Sequence, residues 1–228
     1  FDAHNHLHNY PGEKETAEAL ARASAAGIKL MLCNGTGPDD WAKVLGLAGR
    51  SGVIPFFGLH PWFADKAPDG WLQLLEDFLQ RAPSGVGEIG LDKAVDADFG
   101  RQEEAFKAQL RLAIQLERPV SLHCVRAWGR MLDILKEERP PAFLFHAYGG
   151  PPELMKELAD LGAWFSFGTG LLDPVRKKLR EALRAAPPWK LLFETEAPES
   201  GSGPRELPGV IQAAAAALGT SPEALGGL

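Results

Sequence analysis

The chain is poor in cysteine. Cys33 and Cys124 are the only two in 228 residues, enough for one bridge at most, and they lie outside any disulfide-dense spacing. A disulfide-stapled secreted scaffold is thereby excluded, and a reducing, cytoplasmic setting is expected. No apolar run approaches the roughly 18 residues of a membrane-spanning helix, so no membrane association is expected. Cations are in deficit: 24 Lys and Arg stand against 30 Asp and Glu, a formal net charge of −6. That argues against a broad basic face that binds nucleic acid by charge alone, although a local basic cleft or a bound cation escapes the exclusion. A Pro/Gly/Ser-rich linker is also missing. Gly201-Ser202-Gly203-Pro204 is the nearest candidate and reads as a loop after the last strand. The chain opens Phe1-Asp2 without Met or a basic leader and stops soon after Ser221-Pro222-Glu223. Residues are therefore expected to be missing at both ends, which leaves room for a removed leader.

One alternation runs through the whole chain. Short runs of Val, Ile, Leu and Phe are each followed by a longer stretch with helical spacing. The pattern predicts strands over 1–7, 28–34, 53–59, 85–91, 119–124, 142–147, 163–168 and 191–196. Helices are predicted over 13–26, 39–50, 70–82, 99–117, 127–138, 152–161, 174–185 and 206–218. Phe106, Leu110 and Ile114 form one helical stripe. Asp39 and Asp40 suit an N-cap, and Pro152 and Pro174 suit first-turn positions. Gly27, Gly52 and Gly162 suit helix ends. Strands such as Ala142-Phe143-Leu144-Phe145 are apolar on both faces, as parallel strands buried on both sides are. Eight strand–helix units in one α/β domain, residues 1–228, predict a (β/α)₈ barrel of the TIM type. An open doubly wound sheet is the alternative, but no glycine-rich phosphate turn follows the first strand.

All six histidines fall at or just beyond the C-terminal ends of predicted strands, the rim on which such barrels build active sites. His4 and His6 end the first strand and His8 follows it. His60 ends the third, His123 the fifth and His146 the sixth, while Glu88 ends the fourth and Glu196 the eighth. Asp2, His4 and His6 alternate and so share a face, as do Glu194 and Glu196. Strands one and eight become neighbours when a barrel closes, which brings His4, His6 and Glu196 together. Cys124 points opposite to His123 and is expected to be a core thiol. Imidazoles and carboxylates converging in this way predict a divalent-metal site. His-x-His can grip one ion, and Glu88 can bridge two through its two oxygens. His8, in a loop, is expected to face solvent or to support the ligands rather than to ligate.

Several segments together resemble the TatD family of metal-dependent hydrolases, within the amidohydrolase-like barrels. They are Phe1-Asp2-Ala3-His4-Asn5-His6-Leu7, Gly58-Leu59-His60-Pro61-Trp62, Gly87-Glu88-Ile89-Gly90-Leu91-Asp92, Ser121-Leu122-His123-Cys124 and Glu194-Thr195-Glu196-Ala197-Pro198. His146 in Phe145-His146-Ala147-Tyr148-Gly149-Gly150 adds a sixth, and Gln102, Phe106 and Gln109 match as structural contacts. The resemblance implies a barrel hydrolase, deoxyribonucleolytic where tested, with one to three divalent ions: Zn, Mn, Mg or Ni. By position, His4, His6, Glu88 and Glu196 would hold one ion, and Glu88, His123 and His146 the second. His60 would contact substrate near the mouth. Two departures bear on the site. The family's last motif is Glu-Thr-Asp, and here Glu196 carries an extra methylene. That displaces the carboxylate by about 1.5 Å against metal–ligand tolerances of about ±0.2 Å. Either the backbone retreats or Glu196 acts through a water; an engineered substitution would explain it equally well. The family's Arg two residues after the fifth-strand His is Val125 here, with Arg126 one later, a displaced contact to substrate phosphate. Lys93 likewise stands where Tyr is common.

The function expected is metal-dependent phosphodiester hydrolysis, on DNA ends or single strands, because a recessed rim site reaches poorly into a duplex. Glu196 and Glu88 are the expected catalytic carboxylates. Trp62, Trp128 and Tyr148 follow rim positions and are equally suited to stacking on bases or to loop packing. Arg176-Lys177-Lys178-Leu179-Arg180 reads as a solvated helix face. A metal-dependent amidase or lactonase uses the same ligands and is the alternative; an impaired barrel that still binds metal is a further one, resting on Glu196. No obligate protein partner is indicated.

Overall fold

The structure is a computed structural model, and it describes residues 1–199 and 203–226. Gly201 and Ser202 of the expected last loop lie outside the described residues. Eight parallel strands stand in sequence order around one sheet: β1 Asp2–Asn5, β2 Met31–Asn34, β3 Val53–Phe57, β4 Gly85–Asp92, β5 Val120–Val125, β6 Phe143–Phe145, β7 Ala163–Phe167 and β8 Leu191–Phe193. Helices alternate with them: α1 Glu13–Ala25, α2 Trp41–Leu47, α3 Trp71–Arg81, α4 Phe99–Gln115, α5 Trp128–Glu138, α6 Met155–Asp160, α7 Lys177–Ala185 and α8 Leu207–Leu218, with a short α9 Pro222–Gly226 after them. The chain thus forms the expected (β/α)₈ barrel.

The barrel closes between β1 and the residues just past β8. Glu196 N donates to His4 O at 3.0 Å and His6 N to Ala197 O at 2.8 Å. Asp2, fully buried, accepts from Thr195 N at 3.0 Å and from Thr195 Oγ1 at 2.6 Å. Aromatic and aliphatic side chains on the outer faces of the strands meet the helices; Phe57, Phe145, Phe165 and Leu110 are fully buried. Asp98 caps α4 by accepting from Arg101 N at 2.9 Å.

Two expected helix starts differ. Helix α7 begins at Lys177, and Pro174 lies in the turn before it. Asp40 precedes α2 without capping it; its carboxylate is drawn back to Thr36 N at 2.8 Å and Thr36 Oγ1 at 2.6 Å. Strands β1, β6 and β8 end two or three residues early, so His6, His146 and Glu196 sit on the turns beyond them. Glu196 takes a left-handed backbone, φ 56°. No described helix is long and apolar enough to cross a membrane.

Candidate metal centre

The C-terminal mouth of the barrel is organised around Glu88, which β4 delivers buried to 3% exposure. Its two oxygens face different histidines. Oε2 lies 3.3 Å from His4 Nε2 and 3.4 Å from His6 Nε2. Oε1 lies 2.8 Å from His146 Nε2, 2.9 Å from His123 Nδ1 and 3.2 Å from His60 Nε2. Burial alone would raise the Glu88 carboxyl, but His146, His60 and His123 around it hold it well below the usual carboxylate range. Glycine makes this approach possible. At Gly90, φ 152°, a Cβ would lie 1.9 Å from the His123 carbonyl oxygen, so no larger residue lets β4 and β5 come together there.

The outward nitrogens of the rings indicate which inward ones carry lone pairs. His6 Nδ1 faces the Asn34 carbonyl at 2.8 Å and His123 Nε2 faces Asp92 Oδ2 at 3.1 Å. Both partners only accept in their ionised or carbonyl form, so the outward nitrogen carries a proton, and when the ring is neutral the nitrogen facing Glu88 is the one with the lone pair. His146 Nδ1 faces Glu194 Oε1 at 3.6 Å, with Ser166 Oγ donating to the other Glu194 oxygen. A carboxylate or carbonyl behind the His6, His123 and His146 rings is what orients histidine ligands; behind His4, Nδ1 faces the Ser121 hydroxyl at 3.1 Å. His60 is the reverse case. Its Nδ1 accepts from Trp62 N at 3.2 Å, so a neutral ring carries its proton on the inward Nε2. His60 is therefore built as a hydrogen-bond donor into the site. It is also more deeply seated than expected, 4% exposed, because its amide is tied to Thr36 O at 2.8 Å.

Two groups of donor atoms lie within 4.8 Å of one another, His4–His6–Glu88 and His60–Glu88–His123. Ring nitrogens also face each other, His4 Nε2 and His6 Nε2 at 3.2 Å, and His123 Nδ1 and His146 Nε2 at 3.3 Å. Inward lone pairs that converge on one carboxylate fit divalent cations by type and by spacing. Glu196 belongs to neither group. It is half-buried beyond the mouth, and burial raises its carboxyl while His146 nearby lowers it, with a net rise.

Other expected residues fall as follows. Arg126 is exposed after β5 in a left-handed conformation, φ 53°. His8 is buried, not solvent-facing; its Nε2 lies 3.3 Å from Asp40 Oδ2 and its Nδ1 3.6 Å from Cys33 Sγ. Burial pushes both thiols, Cys33 and Cys124, up to about 12. Tyr148 is fully buried, its hydroxyl donating to Pro151 O at 2.8 Å, so it offers no face to a base, and half-buried Trp128 packs on it with ring centroids 4.9 Å apart. Trp62 stays exposed. Asp92 and Glu194 were not singled out from the sequence as site residues. Asp92 also accepts from Trp62 Nε1 at 2.7 Å. An apolar cavity of about 850 Å³ lies at the opposite end of the barrel, but no titratable side chain lines it. The chemistry is at the histidine end.

The arrangement has clear relatives. Residues 1–225 match the family described as TatD related DNase. The chain is 34% identical over 210 residues to the 3′-5′ ssDNA/RNA exonuclease TatD of Citrobacter koseri, covering 87% of this chain and 78% of that protein. It is 30% identical over 205 residues to the uncharacterized metal-dependent hydrolase YjjV of Escherichia coli K12, covering 87% and 79%. The crystal structure of that TatD homolog superposes with a TM-score of 0.91 at 28% identity, over 98% of this chain and 92% of the other. The chain belongs to the family of TatD related DNases.

Proposed function

We propose that this chain is a divalent-metal-dependent phosphodiesterase that hydrolyses single-stranded nucleic acid from an end. The observation that carries the reading is the division of Glu88, one oxygen facing His4 and His6, the other facing His123 and His146. A carboxylate shared in this way suits two cations, one with His4 and His6 and one with His123 and His146. Cations there would supply Lewis acidity toward phosphoryl oxygens and lower the pKa of water.

The chain's own groups supply the rest. Hydrolysis joins a water oxygen to phosphorus and breaks one P–O ester bond, releasing an alcohol. Glu196, whose carboxyl burial raises, accepts the proton lost by the water and passes it to the departing ester oxygen, which leaves as the alcohol. The His60 Nε2–H donates to a non-bridging oxygen of the same phosphate, and exposed Arg126 meets the neighbouring one. Asp92 and Glu194 hold the His123 and His146 rings in the ligating tautomer.

The test is the purified protein supplied with Mn, Mg, Zn or Ni. End-labelled single-stranded DNA and RNA are compared with amide and lactone substrates. Stepwise release of nucleotides is expected. Hydrolysis of only the amides or lactones overturns the proposal. Inactivity of both this chain and Glu196→Asp with every metal overturns it in favour of a barrel that binds metal without catalysis.

A further inference from the structure

At the histidine mouth two consecutive aromatic side chains stand open, Trp62 at 47% and Phe63 at 42% exposure. Most other large aromatics near the mouth are buried. We infer that Trp62 and Phe63 form a stacking subsite for the nucleobases next to the scissile phosphate. The inference rests on the phosphodiesterase reading above and adds to it how the strand is held.

Three features support the assignment. First, Trp62 is fixed. Its indole N–H donates to Asp92 Oδ2 at 2.7 Å, and that oxygen also faces His123 Nε2. A ring already held in place loses little freedom when a base stacks on it. Second, it borders the reacting centre, its ring centroid 4.8 Å from that of His60 and 6.3 Å from that of His123. A base on Trp62 therefore belongs to a nucleotide adjoining the phosphate at Glu88. Third, Phe63 continues outward. Its ring lies 6.2 Å from His60 and forms part of the wall of a cavity of about 250 Å³ that also includes Lys66. That wall also carries the carboxylates of Asp39 and Asp40, so Phe63 suits the π-face of a further base rather than its phosphate.

The chemistry also sets the selectivity. The one hydrogen-bond donor of the Trp62 ring is committed to Asp92, and Phe63 has none. Neither can read a base edge, so recognition is by π-face and tolerant of sequence. In a chain of net charge −6, stacking supplies affinity that a basic track would otherwise provide.

The experiment measures binding, not turnover. Fluorescein-labelled oligothymidylate with nuclease-resistant phosphorothioate linkages is titrated by anisotropy. So is the same strand with abasic residues in its last three positions. The intact chain is expected to bind the base-bearing strand about 5–150-fold tighter than the abasic one, the range of one stacked base. Trp62→Ala should collapse that ratio toward one, and Trp62→Phe should keep most of it. Phe63→Ala should reduce it in part. An equal weakening of both strands by Trp62→Ala, leaving the ratio intact, would mean Trp62 acts only through Asp92 and His123 and overturns the subsite. So would equal binding of both strands by the intact chain. Failure of the nuclease assay above, with the ratio and its loss observed, overturns the reaction and leaves the subsite standing.

Discussion

His6 and His123 each present one nitrogen to a fixed acceptor and the other to Glu88, so metal affinity depends on single rings. His6→Ala is expected to remove the ion held with His4, lowering bound metal by elemental analysis. His8→Ala is expected to retain it, because that ring faces Asp40 and Cys33. It should instead destabilise the fold by about 1–3 kcal/mol in denaturant titration, since buried Asp40 loses a partner. Protons compete with metal for imidazole, which ligates only when neutral and has an ordinary pKa of about 6.5. Bound metal should therefore be lost on dialysis below about pH 6 and retained above it; full retention at pH 5 contradicts histidine ligation. Glu196→Gln keeps the side chain's size and removes its basicity. The expected result is a kcat lower by about 10²–10⁴ with metal content unchanged. Equal kcat would assign the proton elsewhere. The candidate histidine ligands were readable in the sequence because they sit at or just past strand ends, which hydrophobic periodicity locates. The carboxylates behind them were not, because Asp92 and Glu194 owe their roles to which strand lies beside them.

At the scale of elements, the site depends on glutamines reaching from α4. Gln109 accepts from Leu59 N at 2.7 Å and donates to Leu59 O at 3.1 Å. Gln102 does the same at Asp92, at 2.8 and 3.0 Å. Each side chain satisfies both backbone groups of a residue where a strand gives way to a loop. One clamp steadies the turn into His60, the other the end of β4. Gln109→Ala leaves two buried backbone groups without partners. It should cost about 2–6 kcal/mol in chemical denaturation, from about 1–3 kcal/mol each. Gln109→Glu should recover only the bond from Leu59 N. The order and type of the elements followed from apolar periodicity, but their ends did not. Asp40 looked like an N-cap and is instead recruited by Thr36 in the loop before it and by His8 in the turn after β1, the latter far away in sequence. Tyr148 was equally suited from the sequence to stacking or to packing and is core, its ring fully buried and its hydroxyl bonded to Pro151 O.

At the scale of the molecule, the donors at Glu88 come from β1, β4, β5 and the turns after β1, β3 and β6, so bound cations would cross-link half the barrel. Chelation with EDTA should lower the melting temperature as well as stop hydrolysis. Metal at about 100 times its Kd contributes about 2.7 kcal/mol, which corresponds to roughly 5–10 °C for a chain of this size. An unchanged melting temperature would mean that metal is not bound at the histidines. Whole-chain charge was the least informative part of the sequence, since several of its carboxylates face inward and never meet a substrate. The closure of the barrel has a consequence in time. Residues 195–197 pair with Asp2, His4 and His6, the last-made part of the site with the first. At about 5–20 residues per second of synthesis, the first strand waits some ten to forty seconds for its partner. Until the eighth strand has emerged, the growing chain has no closed barrel mouth and so no assembled candidate site.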